Sequence, residues 1–228
     1  MAYGRRAVVP YPVKYDFSEN IHVLVGVLNE TTKYIICKDL ITHRSGFFRS
    51  AVAQRWNASA VEGVPITIEL PRDKPATFSD YLQCLYTGEH FIRDLRAPDE
   101  IQSTIDAYVL ADRLGDLRAA NCIIDSIIKW SAANNCVPCD QHIEHIYKNT
   151  LPGSNLRRLF LDYYITLSDK SSAQSLSYQP FCVDVLRDYA RVTRGFPQKL
   201  VGEAFGFKIS ARPKCEYHRH DESYPSCN

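Results

Sequence analysis

Two hydrophobic periodicities divide this chain, and the switch between them restricts its fold more than any other feature. Early on, apolar residues fall at every second position. Ile21, Val23 and Val25 alternate with His22 and Leu24 before Gly26, and Ile66, Ile68 and Leu70 alternate with Thr67 and Glu69. Side chains on a strand point to opposite faces in turn, so each run predicts a short strand with one buried side. Lys33–Cys37 predicts another strand, joined to the first as a hairpin through the loop Asn29–Thr32. From about residue 98 onward every strong signal recurs at intervals of three and four, the spacing of a helix face. A small sheet followed by helices that cover it and extend beyond it predicts an α+β chain.

The joints between these runs carry their own signals. Lys38–His43 predicts a short helix, and Ser45 predicts the cap of the next, its hydroxyl accepting from a free first-turn amide. That helix carries an apolar stripe of Phe47, Phe48, Ala51 and Val52. Pro75 suits a first helical turn, where no amide hydrogen is needed. Phe78, Tyr81, Leu82, Leu85 and Tyr86 follow at helical spacing, and Gly88 supplies a left-handed stop. Ile101, Ile105, Tyr108 and Val109 mark a helix ending near Leu114-Gly115; Ala120, Ile124, Ile127 and Ile128 mark the next. Leu156, Leu159, Phe160, Tyr163, Tyr164 and Leu167 form the cleanest stripe. Ser168–Ser177 has no periodicity and predicts a loop or linker. A further helix carries Cys182, Val185, Leu186 and Tyr189. Residues 1–19, with Pro10 and Pro12, predict an extended arm, and residues 207–228 a polar tail rich in cysteine and histidine.

Composition narrows the functional classes. Of 228 residues, 45% are hydrophobic and 23% charged, which allows a sizeable core and opposes global disorder. A net charge of +1 opposes a dedicated nucleic-acid binder, which carries a strong basic excess. The eight cysteines are scattered, several inside apolar helical stripes, as buried free thiols rather than disulfide staples. No apolar run approaches the ~18 residues of a membrane span, and the N-terminal Ala-Val-Val-Pro-Tyr-Pro-Val is too short and too interrupted for a signal-peptide core. The expectation is a soluble chain in a reducing compartment, in cytoplasm or nucleus.

The predicted order of strand, strand, two short helices, strand, helix and helical pair resembles the BTB/POZ domain, a protein-interaction module. The residues at its joints match: Tyr34, Lys38, Leu40, Arg44, Ser45, Phe47 and Phe48, then Leu70-Pro71-Arg72-Asp73, Phe78 and Leu85-Tyr86-Thr87-Gly88. Cys37 stands where histidine is usual in that family. Beyond the core the chain is similar to fungal BTB-domain proteins of about this length, in Tyr108–Leu117, Asn155–Leu159 and Cys215–His220. The resemblance implies a BTB/POZ core at 20–95, its helical completion and extension at 96–206, and the tail after it. It also implies a non-enzymatic adaptor that binds other proteins or its own copy, with Phe47, Phe48, Trp56 and Tyr86 as protein-binding candidates.

Two family interfaces bear on this. Homodimers of many members are held by a helix before the first strand, but Arg5–Glu19 contains two prolines and no apolar stripe. Adaptors reach cullin scaffolds of ubiquitin ligases through an apolar residue, a spacer and a glutamate after the Phe-Phe helix. Here that stretch is Trp56-Asn57-Ala58-Ser59, and Ala58 supplies no carboxylate.

Three clusters could carry chemistry. Cys215, His218, His220 and Cys227 have the ligand types zinc prefers, within thirteen residues, and are the metal candidate. The alternative function is then a zinc-binding protein with a basic helix docking nucleic acid or an acidic partner. Cys136, Cys139, His142 and His145 are less suited, because steps of three drift backward by about 60° each around a helix. Arg187, Arg191 and Arg194 share the helix face opposite Val185 and could dock an acidic partner or a phosphate backbone, or simply meet solvent. The sequence contains no phosphate loop, dinucleotide glycine pattern or serine elbow, so no catalytic residue is expected.

Overall fold

The computed structural model describes residues 14–27, 30–59, 64–90, 92, 98–134, 140–167, 183–193 and 214–221. The arm before residue 14 and the loop at 168–177 lie outside the described residues.

The alternating runs form three strands: β1 (Asn20–Val25), β2 (Thr32–Cys37) and β3 (Thr67–Leu70). Their order is β2-β1-β3, with β1 antiparallel to β2 and parallel to β3. The register puts Val23 opposite Tyr34 on one side and Ile68 on the other. One face therefore gathers Ile21, Val23, Val25, Ile36, Ile68 and Leu70, all buried. Ile66 precedes β3, yet its carbonyl accepts from the His22 amide at 2.8 Å and starts the ladder.

The parallel pairing requires a crossover, and α1 (Lys38–Arg44) with α2 (Gly46–Ser59) provides it. Ser45 sets the break between them. Its hydroxyl accepts from the Phe48 amide at 3.2 Å, as the sequence predicts, and also donates to the Leu114 carbonyl at 2.5 Å. The capping residue of α2 thus also satisfies an orphan carbonyl at the end of a distant helix.

Phe47 and Phe48 separate at this point. Neighbours on a helix lie about 100° apart, so they cannot share one face. Phe48 is fully buried against Phe78, their rings 6.5 Å apart, whereas Phe47 is 39% exposed. The expected four-residue stripe is narrower than the sequence suggests.

Pro75 opens α3 (Pro75–Thr87), and Gly88 closes it at φ 71°. Tyr34 anchors this helix to β2: its hydroxyl donates to the Pro75 carbonyl at 2.8 Å and its ring meets Phe78 edge-on at 5.0 Å. The remaining helices are α4 (Pro98–Leu114), α5 (Leu117–Asn134), α6 (Asp140–Asn149), α7 (Asn155–Leu167) and α8 (Val183–Thr193). In α8, Val185 is buried but its stripe neighbour Leu186 is half-exposed.

A mixed three-stranded sheet followed by helices is the architecture, α+β as expected. One contiguous core runs from Ile21 to Tyr217, through Phe78, Tyr108, Ile124 and Leu159. Three buried polar groups bind the layers together: Arg44 of α1, Tyr81 of α3 and Asp116 at the start of α5. Arg44 donates twice to Asp116 Oδ1, at 3.2 and 3.0 Å, and Tyr81 donates to Asp116 Oδ2 at 3.3 Å. Burial, and after it the Asp116 charge, pushes the Tyr81 phenol well above its ordinary value, so it remains a donor. Among the described residues no helix is long and apolar enough to cross a membrane.

Candidate interaction surface

The sheet order leaves β2 at an edge, and the residues around its end are apolar and open. Ile35 points away from the buried face and is 63% exposed, Phe17 is 63% exposed, and Tyr86 is 50% exposed. Cys37 ties the end of β2 to Tyr86 and to the backbone before Phe17. Its amide donates to the Tyr86 hydroxyl at 3.2 Å, and its thiol donates to the Asp16 carbonyl at 3.2 Å. Tyr86 therefore has its hydroxyl fixed while much of its ring remains open to solvent.

The segment before β1 is fixed at the same place. The Asp16 amide donates to Asp39 Oδ2 at 2.9 Å, and the Lys38 amide donates to the Glu19 carbonyl at 3.0 Å. The Tyr15 ring sits between Phe17 and His43, at 6.4 and 5.6 Å between centroids. Large apolar side chains are thus left open to solvent near a strand edge, a feature that proteins ordinarily cover.

The predicted protein-binding residues thus fall into different environments. Tyr86 lies on this surface, Phe47 is exposed at the start of α2, and Phe48 serves the core, where no partner reaches it. Trp56 lies in the last turns of α2, and its side chain, with those of Asn57, Ala58 and Ser59, lies outside the described residues. Phe17 and Ile35 were not apparent as surface residues from sequence. The strand alternation carried a signal for Ile35, since Tyr34 and Ile36 claim the opposite face.

The tail is the largest departure from expectation. Residues 214–221 begin with one 3-10 turn (Lys214–Glu216) and lie across α4, α5 and α7. Tyr217 is buried and donates to Asp162 Oδ2 at 2.7 Å, while its carbonyl accepts from Asn155 Nδ2 at 3.0 Å. Asn121 pairs with the backbone of Arg219 in both directions, at 2.8 and 2.9 Å, and the Arg219 guanidinium reaches Asp112 at 2.8 Å. Arg158 reaches Glu216 at 3.0 Å.

These bonds bear on the metal candidate. His218 is buried with its Nε2 3.0 Å from Asp125 Oδ1, Cys215 is exposed, and the His218 and His220 rings lie 6.2 Å apart. Cys227 lies outside the described residues. Among the described residues no group of three or more histidine, cysteine and acidic side chains is arranged to hold a metal ion. In the other cluster His145 is taken by Asp106 at 2.7 Å, while Cys136 and Cys139 lie outside the described residues.

On α8 the basic face is offset by its own helix. Arg187 pairs with Asp184 at 2.7 Å, and Arg191 with Asp188 at 3.2 Å. Arg194 lies outside the described residues. Such exposed pairs contribute little to stability, and they reduce the field the two arginines present to a polyanion.

No family model matches this chain, and no curated protein matches it.

Proposed function

We propose that this chain is a non-enzymatic protein-interaction module of the BTB/POZ kind, whose partner, a second protein or its own copy, covers the β2 end of the sheet. The observation that carries the reading is that three large apolar side chains near the edge strand β2 stand open, Phe17, Ile35 and Tyr86, with the Cys37 bonds fixing the Tyr86 hydroxyl and the backbone at Asp16. The order of elements supports it: a hairpin, a two-helix crossover to a parallel third strand, and a helix stapled to the sheet by Tyr34. The reading calls on no cofactor. The finer version, an adaptor for a cullin-type ubiquitin ligase, places the scaffold against the end of α2, where Ala58 removes the carboxylate such an interface uses.

The test is light scattering on the purified full chain together with cross-linking in extract of its source cell. Self-association or a cross-linked partner is expected, and both Ile35→Lys and Tyr86→Ala should abolish it while the circular dichroism spectrum is retained. A strictly monomeric chain with no cross-linked partner overturns the proposal. So does a complex that both variants leave intact. Co-purification of a cullin decides the finer version.

A further inference from the structure

We propose that the surface of α4, α5 and α7 beneath residues 214–221 is a peptide-recognition groove, and that the partner it fits is the same segment of a second copy of this chain. This face is different from the β2 edge, and the proposal is independent of the reading given for that edge. The bonds that hold the segment are of the kinds that read a peptide. Asn121 is buried, and its side-chain amide both donates to the Arg219 carbonyl at 2.8 Å and accepts from the Arg219 amide at 2.9 Å. One side chain thus supplies the donor and the acceptor that a neighbouring strand would supply. Asn155 holds the Tyr217 carbonyl at 3.0 Å.

Side chains add sequence to this backbone capture. Tyr217 is the anchor: it is buried, its hydroxyl ends on Asp162, and the Arg158 guanidinium lies 5.7 Å from its ring centre. Two ion pairs at the rim, Glu216 with Arg158 and Arg219 with Asp112, fix which way the segment runs, since reversing it would set like charges together. A buried aromatic anchor inside a charged, half-open rim is the anatomy of a binding site.

None of these bonds depends on the segment being joined to α8 of the same molecule. α8 ends at Thr193 and the 3-10 turn begins at Lys214, a connection that spans up to about 70 Å when drawn out. The same contacts therefore form within one chain or between two, the relation that permits exchange of an element between copies. Within one chain the tail is present at an effective concentration of about millimolar order, so it occupies its own groove first. A second copy's segment enters where that resident is weakened or withdrawn.

The experiment uses the full chain under reductant, with Ile35→Lys throughout so that association at the β2 edge, or its absence, does not enter the result. A fluorescein-labelled peptide of residues 214–221 is titrated into Tyr217→Ala, whose own tail lacks its anchor. A saturable rise in anisotropy is expected. Binding should be at least about tenfold weaker in the chain that keeps Tyr217, and about tenfold weaker when Asn121→Ala is added to Tyr217→Ala. Above the measured Kd, Tyr217→Ala mixed with Asn121→Ala should give a one-to-one complex by light scattering, while each alone remains monomeric. Where Tyr217→Ala does not fold by circular dichroism, Tyr217→Phe takes its place. Absence of saturable binding by the folded variant overturns the proposal, as does binding that Asn121→Ala leaves unchanged. Peptide binding together with a mixture that stays monomeric overturns the second copy as the partner.

Discussion

Arg44 and Asp116, 72 positions apart in sequence, meet inside the molecule at 3.0 Å with both side chains nearly solvent-free. Asp116 does more than pair. Its Oδ1 also accepts from the Ala119 amide at 3.0 Å, which caps α5, and its Oδ2 takes the Tyr81 hydroxyl. One carboxylate therefore holds α1, α3 and α5 to each other.

Replacing Asp116 with alanine should cost about 3–5 kcal/mol, because it leaves a buried guanidinium without its counter-charge and removes a helix cap. Urea unfolding measures the loss. Arg44→Met should cost less, since methionine fills the space with apolar volume and Asp116 retains its bonds to Tyr81 and Ala119. A double-mutant cycle isolates the coupling.

The adjacent phenylalanines should behave oppositely. Phe48→Ala should lose about 3–5 kcal/mol through the cavity it leaves against Phe78. Phe47→Ala, on the exposed side, should change stability by no more than about 0.5 kcal/mol. Chemical denaturation of the two variants distinguishes them directly.

Gly26 and Gly88 both adopt positive φ but in different surroundings. At Gly26, with φ 103°, an added Cβ would stand 2.6 Å from the Glu30 carbonyl oxygen; at Gly88, with φ 71°, it meets open space. Gly88→Ala should cost about 1 kcal/mol from backbone strain alone. Gly26→Ala should cost clearly more, because the Glu30 backbone must also move. Thermal unfolding of the pair tests the order.

His90 gives the fold a dependence on acidity. Burial lowers its pKa from 6.5 to about 4, and its Nδ1 has no hydrogen-bond partner among the described residues. The unfolded chain therefore binds a proton at this position more readily than the folded one. Stability associated with His90 is complete above pH 6.5 and falls as the pH drops from there to about 4. Between neutral pH and about pH 5 the loss should be about 1–2 kcal/mol, allowing for solvent at the ring edge. Urea titrations of wild type and His90→Gln at the two pH values should show the extra loss only in the wild type.

The tail should behave as a structural part. Tyr217→Phe leaves Asp162 Oδ2 without the hydroxyl that donates to it, and should cost about 1–3 kcal/mol. Hydrogen exchange at Asn155 and along α5 should speed up in that variant. A tail merely lying in solvent would produce no change in either measurement.

How far these features could be read from sequence follows from the range of the interactions. Ser45, Pro75 and Gly88 act within a few residues, so cap, first turn and stop were all readable. The strands were readable because alternation is local, and the register follows once one face is apolar. Tyr217 was not readable. It stands in a polar run with no periodicity, and what buries it is Asp162, 55 positions earlier, and Asn155. Histidines at 218 and 220 suggested a metal ligand by residue type, and nothing in the sequence indicated that His218 meets Asp125, 93 positions away. The candidate surface was half readable. Tyr86 carried a resemblance and strand alternation carried a signal for Ile35, but nothing in the sequence marked Phe17 as exposed. The Phe47–Phe48 pair shows the same limit, since spacing defines a stripe but not its edges.

The parallel strand pair also has a kinetic consequence. Val23 must wait for Ile68, 45 residues later, before β1 is bonded on both sides. During synthesis the hairpin of β1 and β2 is complete first, leaving the inner strand with an open side until the crossover helices and β3 have emerged. Distant pairings of this type slow folding and leave sticky backbone waiting. A nascent chain of this protein is therefore most vulnerable to aggregation in the interval before β3 closes that side.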